Sequence, residues 1–362
     1  MGEITARCAD HRTPLLYEQW YVAALSTEVS QALSEVWVLQ HSLVVYRKRD
    51  GVAVALQNRC PHRSYPLSHG VRDGDSVICG YHGLTFDADG RCVRIPSQES
   101  VATRLRTRSY PIVEQRPFIW IWMGAGPPTC APPAAPWLNN PDYVDVCGVF
   151  NVLCSYIRLH ENVLDLTHLP FLHRASFKTP ELSKTVPQMS TDGIQVRVRL
   201  ETQMQATSGP SAAGEPAHSV QVVSELCFAS PAVHFATTTV ADLDTPPEGR
   251  ATRRTGFVHA FTPVDPTSTR YFWCVSRDSE LDDLAASDRA RQDFTAIFSE
   301  DVAGLSRVEA MWARERREDF REISVAADRP GLRMRQNIEN LARAEAESRE
   351  AAAPVRAAGE TP

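Results

Sequence analysis

Two short metal-ligand motifs restrict the fold of this chain more than any other feature. The first is Cys60-x-His62 and the second is Cys79-x-x-His82, with sixteen residues between them. Each motif joins one thiolate to one imidazole, and four such ligands can hold a zinc ion. One cysteine and one histidine in each loop are less typical of zinc modules. They suit a two-iron cluster in which the cysteines bind one iron and the histidines bind the other. A zinc ribbon stays open as the alternative.

Length and composition narrow the class of protein. The 362 residues are 43% hydrophobic and 23% charged, so one large or two ordinary globular domains are expected. A net charge of −6 argues against a nucleic-acid partner. The N-terminus lacks the apolar core of a signal peptide, and no apolar run approaches the roughly 20 residues of a membrane-spanning helix. Of the nine cysteines, those outside the two motifs have no paired spacing, which predicts reduced thiols in a cytoplasmic protein.

Turn residues and proline divide the chain into modules. Residues 17–125 contain short β-rich runs separated by turns, which predicts an all-β domain with the two motifs in its loops. Residues 126–142 include six prolines and read as an extended connector. Residues 143–351 alternate strand-like runs with polar turns and then form two long helices, over 287–318 and 331–351. A flexible tail is predicted for 352–362.

A second group of metal-binding side chains lies early in the second module. The sequence predicts a helix over 157–169 that carries Asn162, Asp165 and His168 at intervals of three, so they lie near one face. Asp165 and His168 stand among apolar residues, and a buried carboxylate or imidazole needs a polar partner. The alternative to a metal site is that His168 and a second histidine, His173, are ordinary buried histidines with hydrogen-bond partners.

His173 and an acidic residue far along the chain complete this group. Pro170 is predicted to end the helix, so the chain can turn and bring the rings of His168 and His173 together. Asp301 falls within the apolar stripe of the helix over 287–318, whereas Glu300 points about 100° away and is the weaker candidate. Two histidines and one carboxylate form an iron(II) site with open positions. A surface position or an arginine pair is the alternative for Asp301.

Taken together, these motifs resemble those of the Rieske non-haem iron oxygenases, in particular the vanillate and dicamba O-demethylase branch. The phrases W-Y-V-A-A-L at 20–25 and C-G-Y-H-G-L-T-F-D at 79–87 are similar to that branch, and the likeness covers nearly the whole chain. It implies an α+β fold in which an N-terminal all-β Rieske [2Fe-2S] domain precedes a catalytic domain of antiparallel β-sheet flanked by helices, of the helix-grip, START-like kind. Cys60, His62, Cys79 and His82 would hold the cluster, and His168, His173 and Asp301 the mononuclear iron.

The resemblance also assigns roles to three further residues. It implies a homotrimer in which the cluster of one subunit faces the iron of its neighbour, with Asp165 bridging a cluster histidine and an iron-ligand histidine; Asp165 could equally orient a ligand within one chain. Asn162 matches a position near the iron, and because amides are weak ligands it is expected to act beside the iron ligands rather than as one of them. His259 matches a histidine of the substrate pocket, and a solvent-exposed strand face is the alternative.

The implied function is that of a monooxygenase oxygenase component. Electrons from NAD(P)H would arrive through a separate reductase, a ferredoxin or both, because the chain has no dinucleotide-binding glycine fingerprint. The substrate would be aromatic, and the favoured reactions are O-demethylation of a methoxyaromatic acid and hydroxylation of an aryl methyl group. N-dealkylation or ring dihydroxylation are alternatives within the family. A Rieske electron-transfer protein without an oxygenase site is the alternative of another class.

Overall fold

The first half of the chain is built from short strands. A computed structural model describes residues 12–174, 176, 182, 185–206, 218–246, 248, 250, 252–317, 320 and 322–352. Its first ten strands are β1 (Trp20–Leu25), β2 (Ser34–Val38), β3 (His41–Arg47), β4 (Ala53–Gln57), β5 (Val71–Asp73), β6 (Ser76–Ile78), β7 (Thr85–Phe86), β8 (Cys92–Arg94), β9 (Ile112–Gln115) and β10 (Phe118–Trp122). They form three small antiparallel sheets, ordered β1-β10-β9, β2-β3-β4 and β5-β6-β7-β8.

Within the described residues, the second half contains one large antiparallel sheet and four α-helices. The strands are β11 (Val144–Val152), β12 (Gln188–Asp192), β13 (Gln195–Ala206), β14 (His218–Ser230), β15 (Val233–Asp242), β16 (Thr252–Asp265) and β17 (Ser268–Arg277), in the order β11-β17-β16-β15-β14-β13-β12. The helices are α1 (Tyr156–Leu164), α2 (Leu169–Leu172), α3 (Leu284–Trp312) and α4 (Arg329–Ala352). The predicted α+β architecture, with a sheet flanked by helices, is therefore confirmed.

The two faces of the large sheet are buried by different partners. On the inner face, Phe298 of α3 and Ile338 of α4 pack with strand residues such as Phe261. On the outer face, Trp120 of β10 belongs to a cluster with Phe272 of β17. This division follows from the alternation of side chains along β17, where Tyr271 belongs to the inner cluster and Phe272 to the outer one. The helical side holds the candidate iron ligands.

The connector is anchored to the outer face by an indole ring. Trp137 is 7% exposed and lies flat over Gly256 of β16, where a Cβ atom would be 2.6 Å from the indole carbons. Glycine is needed at this position because the Cβ atom of any other residue would collide with the indole ring. The predicted module boundaries at 125 and 143 fall in the strand-free and helix-free segment between β10 and β11.

The predicted helix over 157–169 is wrong in its end point. The α1 helix stops at Leu164, and Asp165 takes an extended conformation (φ −116°, ψ 99°) before a 3-10 turn over Leu166–His168. Asp165 caps that turn by accepting a hydrogen bond from the main-chain N–H of Thr167, at 2.8 Å. Pro170 lies in the first turn of α2, where a missing N–H costs nothing, so it does not end a helix.

One cysteine pair contradicts the prediction of reduced thiols. Cys147 of β11 and Cys274 of β17 lie directly opposite each other in the sheet and are joined as a disulfide. This pair has no local sequence signal because the two residues are 127 positions apart. No helix among the described residues is long and apolar enough to cross a membrane. Of the predicted tail, all residues after Ala352 lie outside the described part of the chain.

Candidate metal centre

The four residues of the opening motifs converge at the tip of the first domain. Cys60 follows β4 and Cys79 follows β6, and each cysteine is only 2% exposed. His62 and His82 are exposed, and their ring centroids are 4.7 Å apart. The loop after His82 turns at Gly83, whose φ of +73° disfavours other residues. The structure therefore presents one pair of buried sulfurs and one pair of exposed imidazoles.

The environment of Cys60 fits a thiolate that needs a cationic partner. Burial and the neighbouring Cys79, opposed by the main-chain N–H of His62, together raise the pKa of Cys60 to about 11. Two thiolates side by side in a buried loop repel each other unless a metal compensates their charge. The main-chain N–H of His62 that points to the Cys60 sulfur could still donate to that sulfur when the sulfur is bound to a metal. These features fit a [2Fe-2S] cluster held by two cysteines and two histidines.

A second metal-binding group lies on the inner side of the large sheet. His168, His173 and Asp301 each offer one ligand atom, and these atoms lie within 4.8 Å of one another. The Nε2 atom of His173 is 3.0 Å from Oδ1 of Asp301, and the Nε2 atom of His168 is 3.4 Å from the same oxygen. The break after α1 brings the two histidines together, and α3 supplies the carboxylate. The three predicted side chains are therefore adjacent in the structure.

The hydrogen bonds around the two rings determine which nitrogen faces the centre. The Nδ1 atom of His168 contacts the main-chain oxygen of Asp165, and the Nδ1 atom of His173 is 2.7 Å from Oε2 of Glu300. A carbonyl or an ionised carboxylate can only accept, so in both neutral rings Nδ1 carries the proton. Both Nε2 lone pairs then point toward Asp301, which is unfavourable unless a cation lies between them. This donor set fits a divalent metal ion.

Burial and charge at Asp301 support the same conclusion. Asp301 is 7% exposed, so the surface alternative is excluded. Burial alone would raise the pKa of Asp301, but the adjacent imidazoles of His168 and His173 hold it at about 2. Burial lowers the pKa of His173, yet Asp301 and then Glu300 raise it above its usual value. The group thus stabilises a positive charge between an anionic oxygen and two imidazoles, which is what a metal ligand set requires.

Asn162 and Asp165 surround the three ligand side chains. The amide of Asn162 donates to Oδ1 of Asp301 at 3.1 Å and lies 3.5 Å from Nε2 of His168. In this contact the N–H group of Asn162 is a donor, so it can orient the carboxylate of Asp301. Asp165 holds His168 through its main-chain oxygen, and its side chain lines a cavity of about 1460 Å³ together with Asn162 and His168.

His259 lies inside the protein rather than on a solvated strand face. It is 8% exposed on β16, its Nδ1 atom is 2.6 Å from the hydroxyl of Tyr271, and its ring contacts Phe298 of α3 edge-on. Burial lowers the pKa of His259 to about 4, so the ring is neutral near pH 7. Phe294 stacks on Phe298 nearby, so the space around His259 is lined by aromatic rings.

Two contributors to this region were not assigned roles from the sequence. Glu300 was the weaker candidate for a ligand. In the structure its carboxylate instead contacts Nδ1 of His173, the ring nitrogen that faces away from Asp301. Its only sequence signal was its position next to Asp301. Tyr271 had no signal beyond the alternation of β17, which points it to the inner face with Trp273. In the part of the chain that the structure describes, no contact joins the cluster histidines to the three iron-ligand candidates.

Comparison with known proteins agrees with both sites. The family model described as the vanillate O-demethylase oxygenase C-terminal domain matches residues 152–344, and the Rieske [2Fe-2S] domain matches residues 19–111. The second match contains all four cluster residues and supports the two-iron cluster over a zinc ribbon. The first contains both histidines and Asp301, together with the helices that carry them.

Individual relatives cover most of the chain. The iron-sulfur subunit of the toluene-4-sulfonate monooxygenase system of Comamonas testosteroni is 32% identical, over 78% of this chain and 84% of that protein. The oxygenase component of dicamba O-demethylase of Stenotrophomonas maltophilia is 31% identical, over 90% of this chain and 98% of that protein. A crystal structure of dicamba monooxygenase with non-haem iron and dicamba matches with a TM-score of 0.78 at 27% identity, over 92% of this chain and 99% of that one. The chain therefore belongs to the Rieske non-haem iron oxygenases, as an oxygenase component of the vanillate O-demethylase type.

Proposed function

We propose that this oxygenase oxidises an aromatic substrate, by O-demethylation of a methoxyaromatic acid or by hydroxylation of an aryl methyl group. The observation that carries the proposal is the convergence of His168, His173 and Asp301, which provide three protein ligands and leave open positions on a bound metal. The two named relatives act, by their descriptions, on dicamba and on toluene-4-sulfonate, which are ring compounds with an acidic group. Their names support both reactions equally.

We assign the iron to Nε2 of His168, Nε2 of His173 and the carboxylate of Asp301. Iron(II) bound there would supply the oxidation: one oxygen atom of dioxygen would enter a substrate C–H bond, and the other would leave as water with two protons and the two electrons that come from NAD(P)H. On an O-methyl group this gives a hemiacetal that releases formaldehyde. Asn162 keeps the Asp301 carboxylate oriented, and the main-chain oxygen of Asp165 keeps the His168 ring in the correct tautomer.

Electron supply requires a partner and, we propose, a second copy of the chain. Members of multicomponent oxygenase systems receive electrons from a reductase, either directly or through a ferredoxin. Exposed His62 and His82 can meet another protein surface, and Asp165 lines a wide cavity beside His168. These features support a homotrimer in which the cluster tip of one subunit approaches Asp165 of the next. The mass in solution, measured by light scattering, should be three times 40.2 kDa.

The substrate pocket is proposed to lie between β16, β17 and α3. Because His259 is buried and neutral, its ring can donate a hydrogen bond to an acidic or carbonyl oxygen of the substrate without carrying a charge itself. The rings of Phe294 and Phe298 offer stacking surface to an aromatic group. We propose a cytoplasmic enzyme, because NAD(P)H is its source of electrons.

The test combines metal content with substrate oxidation. Purified protein, a reductase and NADH are incubated with methoxybenzoates, methyl-substituted aryl sulfonates and N-methyl amides, with formaldehyde and hydroxylated products measured. Formaldehyde from a methoxybenzoate indicates O-demethylation, and a benzylic alcohol indicates methyl hydroxylation. Formaldehyde only from an N-methyl amide, or a cis-diol, would replace the proposal by one of the family alternatives. Two irons per chain rather than three, with no product, would indicate an electron carrier.

A further inference from the structure

Adjacent acidic residues on α3 contact the two nitrogens of one imidazole. Asp301 Oδ1 is 3.0 Å from Nε2 of His173, and Glu300 Oε2 is 2.7 Å from Nδ1 of the same ring. Successive helical residues differ by about 100° in direction, so they can reach opposite edges of a ring that lies across the helix. His173 is 1% exposed on its side chain, whereas Glu300 is 28% exposed. The ring is thus fixed from both edges by one turn of helix.

We propose that Glu300 is a positioning residue of the mononuclear iron centre and gives His173 a more strongly donating Nε2 atom than His168. The inference rests on the ligand assignment made above but not on the identity of the substrate. Glu300 accepts a hydrogen bond from Nδ1–H of His173, so the lone pair of Nε2 is fixed toward the metal. A carboxylate partner also increases the electron density of the imidazole more than a neutral acceptor does.

The two histidines differ in the partners that hold them. His168 has the neutral main-chain oxygen of Asp165 at its Nδ1 atom, whereas His173 has the carboxylate of Glu300. The Asp301 and Glu300 carboxylates together carry two negative charges, which match the two positive charges of iron(II). A site that is neutral overall costs less to bury than one with a residual charge. Glu300 therefore contributes to metal affinity without touching the metal.

Glu300 is itself held in place. The hydroxyl of Ser176 donates to Oε1 of Glu300 at 3.1 Å, while Oε2 accepts the hydrogen bond from Nδ1–H of His173. Both oxygens of the carboxylate are thus engaged, and the side chain cannot rotate away without losing two hydrogen bonds. Ser176 comes three residues after His173, so the segment that follows the ligand also fixes the residue that orients it.

The test measures iron affinity in the full-length holoprotein. Glu300→Gln keeps an acceptor oxygen for His173 and removes the charge, whereas Glu300→Ala removes both. Mononuclear iron is titrated with ferrous ion buffered by a chelator, while the cluster is followed by its visible absorbance. Loss of such an outer partner costs about 10-fold to 100-fold in metal affinity, so we expect a loss near the lower bound for Gln and near the upper bound for Ala. The spectrum of the cluster should not change.

Asp293→Asn is the matched control. Asp293 is exposed and lies seven residues before Glu300 on almost the same face of α3, so it loses the same charge two turns away. Its iron affinity should equal that of the unsubstituted protein. A second readout is the paramagnetic resonance of the ferrous nitric-oxide complex, whose rhombicity should change in Glu300→Gln and not in Asp293→Asn.

The outcomes are distinct from those that test the proposed function. If Glu300→Ala binds ferrous ion within twofold of the unsubstituted protein and gives the same resonance, Glu300 does not position the centre. If Asp301→Ala keeps its mononuclear iron, the ligand assignment fails, and the inference about Glu300 fails with it. If iron binds as described but no aromatic substrate is oxidised, only the proposed reaction is overturned.

Discussion

Two histidines that the proposed chemistry does not use should make the protein sensitive to acid. His160 of α1 and His234 of β15 are fully buried among aromatic rings, with Nδ1 of His160 2.5 Å from Nε2 of His234. Nε2 of His160 donates to the main-chain oxygen of Pro231 at 2.9 Å. Since that oxygen only accepts, Nδ1 of His160 is unprotonated and accepts from His234. Both rings are therefore neutral, and the bond joins α1 to the sheet.

The size of the effect follows from the pKa of His160. Burial lowers it from 6.5 to about 3. Between these values the unfolded chain binds a proton that the folded chain does not, so the stability from this group is complete above pH 6.5 and is lost as the pH falls. At about pH 5 the loss is about 1.5 units times 1.36 kcal/mol, or about 2 kcal/mol. Burial also lowers the pKa of His234, which adds to the loss.

The variant His160→Gln isolates this contribution. A glutamine side chain can donate to Pro231 and accept from His234, but it does not bind a proton in this range. The melting temperatures of the two proteins are compared at about pH 7.5 and about pH 5. For a domain of about 200 residues, about 2 kcal/mol corresponds to about 4–8 °C. On acidification, the melting temperature of His160→Gln should therefore fall by about 4–8 °C less than that of the unsubstituted protein.

A control variant and a clear contrary result complete this experiment. His69 is exposed at the end of a 3-10 helix in the first domain, so His69→Gln removes a histidine without removing a buried one. Its melting temperature should stay parallel to that of the unsubstituted protein at both values of pH. If the difference between His160→Gln and the unsubstituted protein is the same at both values, the neutral buried pair is not the source of acid sensitivity.

Three further predictions concern the proposed sites. Asp301→Ala should lower the iron content from three to two per chain and abolish turnover without changing the cluster spectrum; three irons with normal turnover would show that Asp301 is not a ligand. Asp165→Asn should keep three irons and a reducible cluster but lose most product formation, and steady-state turnover at the normal rate would contradict its proposed role. His259→Leu should raise KM for an acidic aromatic substrate by about 10-fold to 100-fold, the equivalent of one hydrogen bond to a charged group, as measured by initial rates; an unchanged KM would remove His259 from the pocket.

The cluster loops and the position of Asp301 could be predicted because each depends on local sequence. The spacing within Cys60-x-His62 defines one two-ligand loop wherever it lies in the fold. Asp301 could be placed on the buried face of α3 because helical periodicity assigns faces within one element. The structure gives Asp301 7% exposure, in line with that prediction. In both cases the chemistry of the residue and its immediate neighbours carried the information.

Features that depend on contacts between distant elements could not be predicted in this way. Glu300 points away from the stripe that contains Asp301, so helical periodicity alone gave no reason to assign it a role. Its contact with His173 depends on where the chain goes after α1, 127 residues earlier in the sequence. The pairing of Cys147 with Cys274 depends on the register of β11 against β17. Neither relation has a local signature.

The end of α1 at Leu164, which differs from the prediction, explains how the main chain of Asp165 can hold His168 while its side chain faces the cavity. Because the helix stops at Leu164, the main chain of Asp165 is extended, and its carbonyl turns toward His168 instead of continuing the helical ladder. The carboxylate uses one oxygen to cap the next turn through Thr167, and it also lines the open cavity. Asparagine can form the same cap and the same main-chain bond. Loss of turnover in Asp165→Asn would therefore report the charge that faces the cavity, and not the orientation of the iron ligand.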